Sequence, residues 1–97
     1  MNKHTPGPWF TSRPHQTIYI EARIGGGMLQ EVGAIGPTEG GPRQQEANAR
    51  LIAAAPELLE ALQGLLAGEE IATSLEDYAA ASEKARAAIS KATGEPS

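Results

Sequence analysis

Apolar positions recur through the middle of the chain with a helical period. Leu51, Ala55, Leu58, Leu62 and Leu65 follow one another at alternating steps of four and three, and Ile52, Leu59 and Leu66 recur every seven residues beside them. This spacing lays a broad apolar stripe along one side of a helix. It predicts that the stripe, with Leu58 at its centre, faces the core and that the rest of the chain covers it. Pro42 suits the first helical turn, where its missing N–H costs nothing. Pro56 cannot continue an uninterrupted helix, because its ring clashes with the preceding turn. The region 42–67 therefore reads as one kinked helix in two segments, 43–55 and 56–67. Glu57 and Glu60 lie at the positive end of the second segment, and Gly68 is expected to end it.

Ahead of this helix the period changes to two. Ile18, Ile20, Ala22 and Ile24 alternate with Thr17, Tyr19, Glu21 and Arg23, the pattern of a strand with one buried face and one wet face. Gly25-Gly26-Gly27 supplies a turn, since glycine accepts positive φ without a steric penalty. Met28 to Ile35 returns as the partner strand, with Gly33 marking a bulge. Trp9 to Arg13, stopped by Pro14, gives a third strand. Short connections make the three an antiparallel meander over 9–35. Residues 1–8 hold two prolines and a glycine and read as an extended arm, anchored by Trp9 and Phe10. After a connector at 69–73, Ser74-Leu75-Glu76-Asp77 has the form of a capping box. It opens a last helix over 74–92, with Leu75, Tyr78, Ser82, Ala85 and Ile89 as its inner stripe and Gly94 as its C-cap. The expected fold is α+β: a small three-stranded antiparallel sheet, a kinked long helix and a C-terminal antiparallel helix.

Composition alters that picture in one respect. The chain has 97 residues, 40% of them hydrophobic, but 17 are alanines. One small domain with a thin core is expected, and self-association is a common remedy, so a homodimer is expected. Charge is uneven. Residues 1–41 hold three basic and three acidic side chains, whereas residues 42–97 hold five basic and nine acidic ones, which accounts for the whole net charge of −4. An acidic surface repels phosphate backbones, so direct nucleic-acid binding is disfavoured. No apolar run reaches the ~20 residues of a membrane span. The N-terminus lacks the apolar stretch of a signal peptide, and the cytoplasm is the expected location.

Candidate chemistry is sparse. Without cysteine there is no disulfide, thiol nucleophile or cysteine metal site. His4 and His15 have no further metal ligands at workable spacing. Thr11, Ser12 and Thr17 near His15 lack a nucleophile-elbow motif. The glycines at 25–27 and 36–41 lack the Gly-Lys-Ser/Thr of a phosphate loop. Neither catalysis nor a cofactor or metal is therefore expected. Asn48 extends the leucine stripe backwards, where a polar amide on a packing seam can set register, or bond to a nearby loop or strand end. Glu46 and Arg50 form an i,i+4 pair. Glu69, Glu70, Glu76 and Asp77 gather around the turn into the last helix, where they cap and solubilise or form an acidic knob for a basic partner.

Two stretches carry a family resemblance. His4-Thr5-Pro6-Gly7-Pro8-Trp9, followed by the run from Glu46 through Ala-Asn-Ala-Arg-Leu-Ile-Ala-Ala-Ala-Pro-Glu-Leu-Leu-Glu-Ala to Leu62, resembles a group of small phage and prophage accessory proteins. The resemblance implies a short sheet leading into this helix, in a host cytoplasm. It carries over no catalytic residues, and it leaves the 36–42 loop and the last helix without a motif. The functional expectation is a non-enzymatic phage protein that binds and inhibits a host or defence protein, in the manner of an anti-CRISPR. Glu69, Glu70, Glu76 and Asp77 are the expected partner-binding residues. The alternative is a homo-oligomeric structural or assembly module.

Overall fold

The computed structural model describes residues 3–71 and 75–95, and the side chains within those spans except at 67–71 and 75–78. Three strands, β1 (Trp9–Ser12), β2 (Ile18–Ile24) and β3 (Met28–Ile35), are followed by three helices, α1 (Pro42–Ala53), α2 (Ala55–Ile71) and α3 (Leu75–Thr93). The fold is α+β, with an antiparallel sheet in the order β1-β2-β3. The strict alternation of β2 holds: Ile18, Ile20 and Ala22 are buried, while Arg23 is open to solvent. On the outer face the Arg23 guanidinium lies 5.8 Å from the centre of the Phe10 ring. The triple glycine forms a single 3-10 turn with φ of 79° at Gly26 and 77° at Gly27, a region L side chains rarely adopt. Ile20 pairs with Gly33 but Glu21 pairs with Glu31, which leaves Val32 as the extra residue of a bulge beside the glycine.

Gly41, at φ 88°, delivers the chain into α1 with Pro42 in its first turn. The helix bends at Ala54, whose N–H still bonds Arg50 O at 3.0 Å, and Pro56 sits in the opening turn of α2. Gly68 does not end that helix, which continues to Ile71 and takes in part of the expected connector. An interior glycine costs about 1 kcal/mol relative to alanine, an amount that packing against α3 can offset. Gly94 does cap α3, with φ 74° and its N–H bonded to Ser90 O at 2.8 Å. Ser74 lies outside the described residues, and with it the expected capping box.

The helices turn a different face inward from the one their leucines predict. α1 packs on all three strands, and α3 packs on both α1 and α2. The core cluster joins Ile18 and Ile20 of β2 to Ala49 and Ala53 of α1, with Trp9, Val32 and Ile35 against it. In α2 the buried positions are Ala54, just ahead of the helix, and Ala61, with Leu58 and Leu65 half-buried between and beyond them. Of the expected core stripe only Leu58 and Leu65 are thus partly covered; the rest faces outward, with Leu51 55% and Leu62 60% exposed and Ala55, Ile52, Leu59 and Leu66 exposed as well. α3 departs in part: Ser82 and Ala85 of its expected stripe are half-buried, but its large member is not. Ile89 is 55% exposed, and the inward stripe is its neighbour Ala88 with Ala92, preceded by the half-buried Ala81 and Ala85; Leu75 and Tyr78 lie outside the described side chains. The physical reason is distance. A helix meets a sheet, or another helix, most closely over methyl groups, and every contact gains from that approach. The alanines therefore take the interfaces, and the larger side chains are left on the outside. The result is an elongated molecule with a radius of gyration of 15.5 Å, against about 13 Å for a compact chain near this length.

Candidate interaction surface

The N-terminal arm and the helix bend, far apart in sequence, meet in space. Gly7 lies against the Pro56 ring, so close that a Cβ there would sit 2.8 Å from the proline Cβ. Trp9 donates its indole N–H to Thr5 O at 3.0 Å, and the His4 ring stands edge-on to it at 6.2 Å. Lys91, in the last turn of α3, completes the junction. It donates to both Glu57 carboxylate oxygens, at 2.7 and 3.0 Å, and to Trp9 O at 3.1 Å. The side chains of this ion pair are about one-third exposed, so its contribution is closer to that of an exposed pair, up to ~1 kcal/mol, than to that of a buried one. His4, Pro6, Gly7 and Pro8 on one side, and Pro56, Leu59 and Gln63 on the other, line an open groove of about 320 Å³.

A second clasp joins α1 to the sheet. Gln45 is 2% exposed, and its amide nitrogen donates to Gln16 O at 2.7 Å and to Ile35 O at 2.8 Å. One side chain thus satisfies a carbonyl of the β1–β2 connection and another at the end of β3. Arg13 reaches across to Gln45 Oε1 at 3.4 Å and to Glu46 Oε1 at 2.9 Å. The buried seam amide expected at Asn48 is therefore Gln45, and Asn48 is exposed. Glu46 pairs with Arg13 rather than with Arg50. The signal in the sequence was that Gln45 stands four and eight residues before the buried Ala49 and Ala53. The leucine stripe, which pointed to Asn48, concealed it.

Three acids of the helical half have cationic partners: Glu46 with Arg13, Glu57 with Lys91, and Glu60 with Lys84 at 3.7 Å. Of the expected partner-binding residues, Glu69 and Glu70 belong to the last turns of α2, and Glu76 and Asp77 to the first turn of α3. The side chains of all four lie outside the described residues. Among the described residues, no group of three or more His, Cys, Asp or Glu side chains is arranged to hold a metal ion. No described helix is long and apolar enough to cross a membrane.

The leucines left open on α1 and α2 give the described surface an outward apolar face. Fold and surface together define a small α+β protein with an open apolar helix face. A family model described as Salmonella phage P22 protein Y8K6 matches residues 1–96, and the chain belongs to this phage protein family. No curated protein and no solved structure matches the chain.

Proposed function

We propose that this phage protein acts in the host cytoplasm, by contact and without catalysis, to bind and inhibit a host or defence protein in the manner of an anti-CRISPR. The observation that carries this reading is the distribution of charge: the whole excess of acid lies in residues 42–97, and four acids fall within nine residues, 69–77, around the turn from α2 to α3. Counted along α2, Glu70 is about 20 Å from Glu57, where Lys91 neutralises the helix start. A run of acids of this kind complements a basic, nucleic-acid-binding groove, and such complementarity sets both on-rate and specificity. The test uses the chain as bait in host extract at low and high salt, beside a variant carrying Glu69→Lys, Glu70→Lys, Glu76→Lys and Asp77→Lys. A captured protein whose activity the parent blocks, with binding that weakens in salt and is lost in the variant, is the expected result. A variant that captures and inhibits as well as the parent would exclude the acidic mechanism.

The alternative is a homo-oligomeric structural or assembly module. It is favoured by a separate observation, the exposure of the leucines on α1 and α2.

A further inference from the structure

We infer that the outward face of α2 is the interface with a second copy of this chain. Along α2, Ala55, Leu59, Leu62 and Leu66 follow one another at steps of four, three and four, the seam spacing of paired helices, and all four are exposed, as is Ile52 of α1 just across the bend. In a lone chain the fully buried positions here are the small Ala54, just ahead of α2, and Ala61; Leu58 and Leu65 are half-buried, and Leu59, Leu62 and Leu66 stay open to water, where a surface helix usually turns its large apolar residues inward.

Two observations select a second copy as the occupant. The first is area. A compact monomer of this mass exposes about 5,300 Å². This chain exposes 7057 Å² over its whole surface, roughly 1,800 Å² more, an excess that leaves room for the ~800 Å² a standard dimer interface takes from each partner. The second is charge. Each copy carries a net −4, yet the residues flanking the seam between Ala55 and Leu66 are Pro56, Leu58, Gln63 and Leu65, none of them charged. The acids of this stretch, Glu57 and Glu60, pair with Lys91 and Lys84 of α3 on another side of the helix. Two like-charged molecules can therefore meet along residues 55–66 without bringing acid against acid. An antiparallel arrangement about a two-fold axis near Leu62 sets Leu59 of one copy opposite Leu66 of its partner. It also sets Glu69 and Glu70 of the two copies at opposite ends, as an isologous contact allows.

The inference is independent of both functional readings, because an inhibitor and an assembly module can each be dimeric. It is tested by sedimentation and light scattering across a dilution series, with helicity followed by circular dichroism. The parent is expected at twice its 10.1 kDa chain mass, and Leu62→Asp at the chain mass with its helicity retained, while Met28→Asp on the exposed end of β3 stays dimeric. Because the chain has no cysteine, Leu62→Cys gives a second readout that does not depend on tolerating a charge. Mild oxidation should link two copies through this position, and Met28→Cys should remain unlinked. A parent that stays at the chain mass at the highest concentration, or a Leu62→Cys chain that links no faster than Met28→Cys, would overturn the proposal and leave the face to an unrelated apolar partner.

Discussion

Gly7 and Pro56 are in van der Waals contact, and the geometry leaves no room for a side chain on the glycine: its Cβ would lie 2.8 Å from the proline Cβ and 3.2 Å from Cγ. The contact holds the proline-rich arm against the bend between α1 and α2. Both partners are stiff rings or backbone, so strain there cannot be relieved by a rotamer change.

Gly7→Ala should therefore displace the arm. The expected cost is about 1–2 kcal/mol, in the range of overpacking a close contact. Trp9 reports the event directly, because its indole is bonded to Thr5 O within the arm. A red shift of tryptophan emission and a lower urea midpoint are expected. Unchanged emission and midpoint would show that the arm does not depend on this contact.

Gln45→Leu should cost about 1–3 kcal/mol in urea unfolding although it makes the residue more apolar. It removes the buried donor that serves the part-buried carbonyls of Gln16 and Ile35. Asn48→Leu, three residues further along the same helix but exposed, should change stability by no more than about 0.5 kcal/mol. Equal effects at the two positions would contradict the clasp.

The alanine-lined interface makes a prediction that runs against hydrophobicity alone. Ala53→Leu adds apolar volume where α1 meets Ile18 and Ile20 and should destabilise by about 1–3 kcal/mol through overpacking. Ile20→Ala, at a fully buried position, should cost about 2–5 kcal/mol by leaving a cavity. Met28→Ala, at an exposed position, should fall within about 0.5 kcal/mol of the parent. Thermal melts of the three variants give the ranking. An Ala53→Leu chain more stable than the parent would mean that α1 stands further from the sheet than its alanines imply.

The kinds of element, their order and several of their ends were determined by the sequence alone, because each depends on neighbours within a few residues. Alternation at 18–24, positive φ at Gly26 and Gly27, Pro42 in a first helical turn, a break at Pro56 and a cap at Gly94 are local steric facts. The end of α2 at Gly68 was misjudged because a glycine is a weak stop that tertiary packing overrides. Which face of each helix turns inward was decided only by the tertiary structure. Periodicity locates an apolar stripe on a helix but does not say what lies opposite it. Here the sheet and α3 offer surfaces that alanines approach most closely, so Ala49, Ala53, Ala61 and Ala88 are buried and Leu51, Leu62 and Leu66 are left open. The same dependence on the third dimension hid Gln45, whose two carbonyl partners are 29 and 10 residues away in sequence. It hid Lys91 as well, which meets Trp9 across 82 residues.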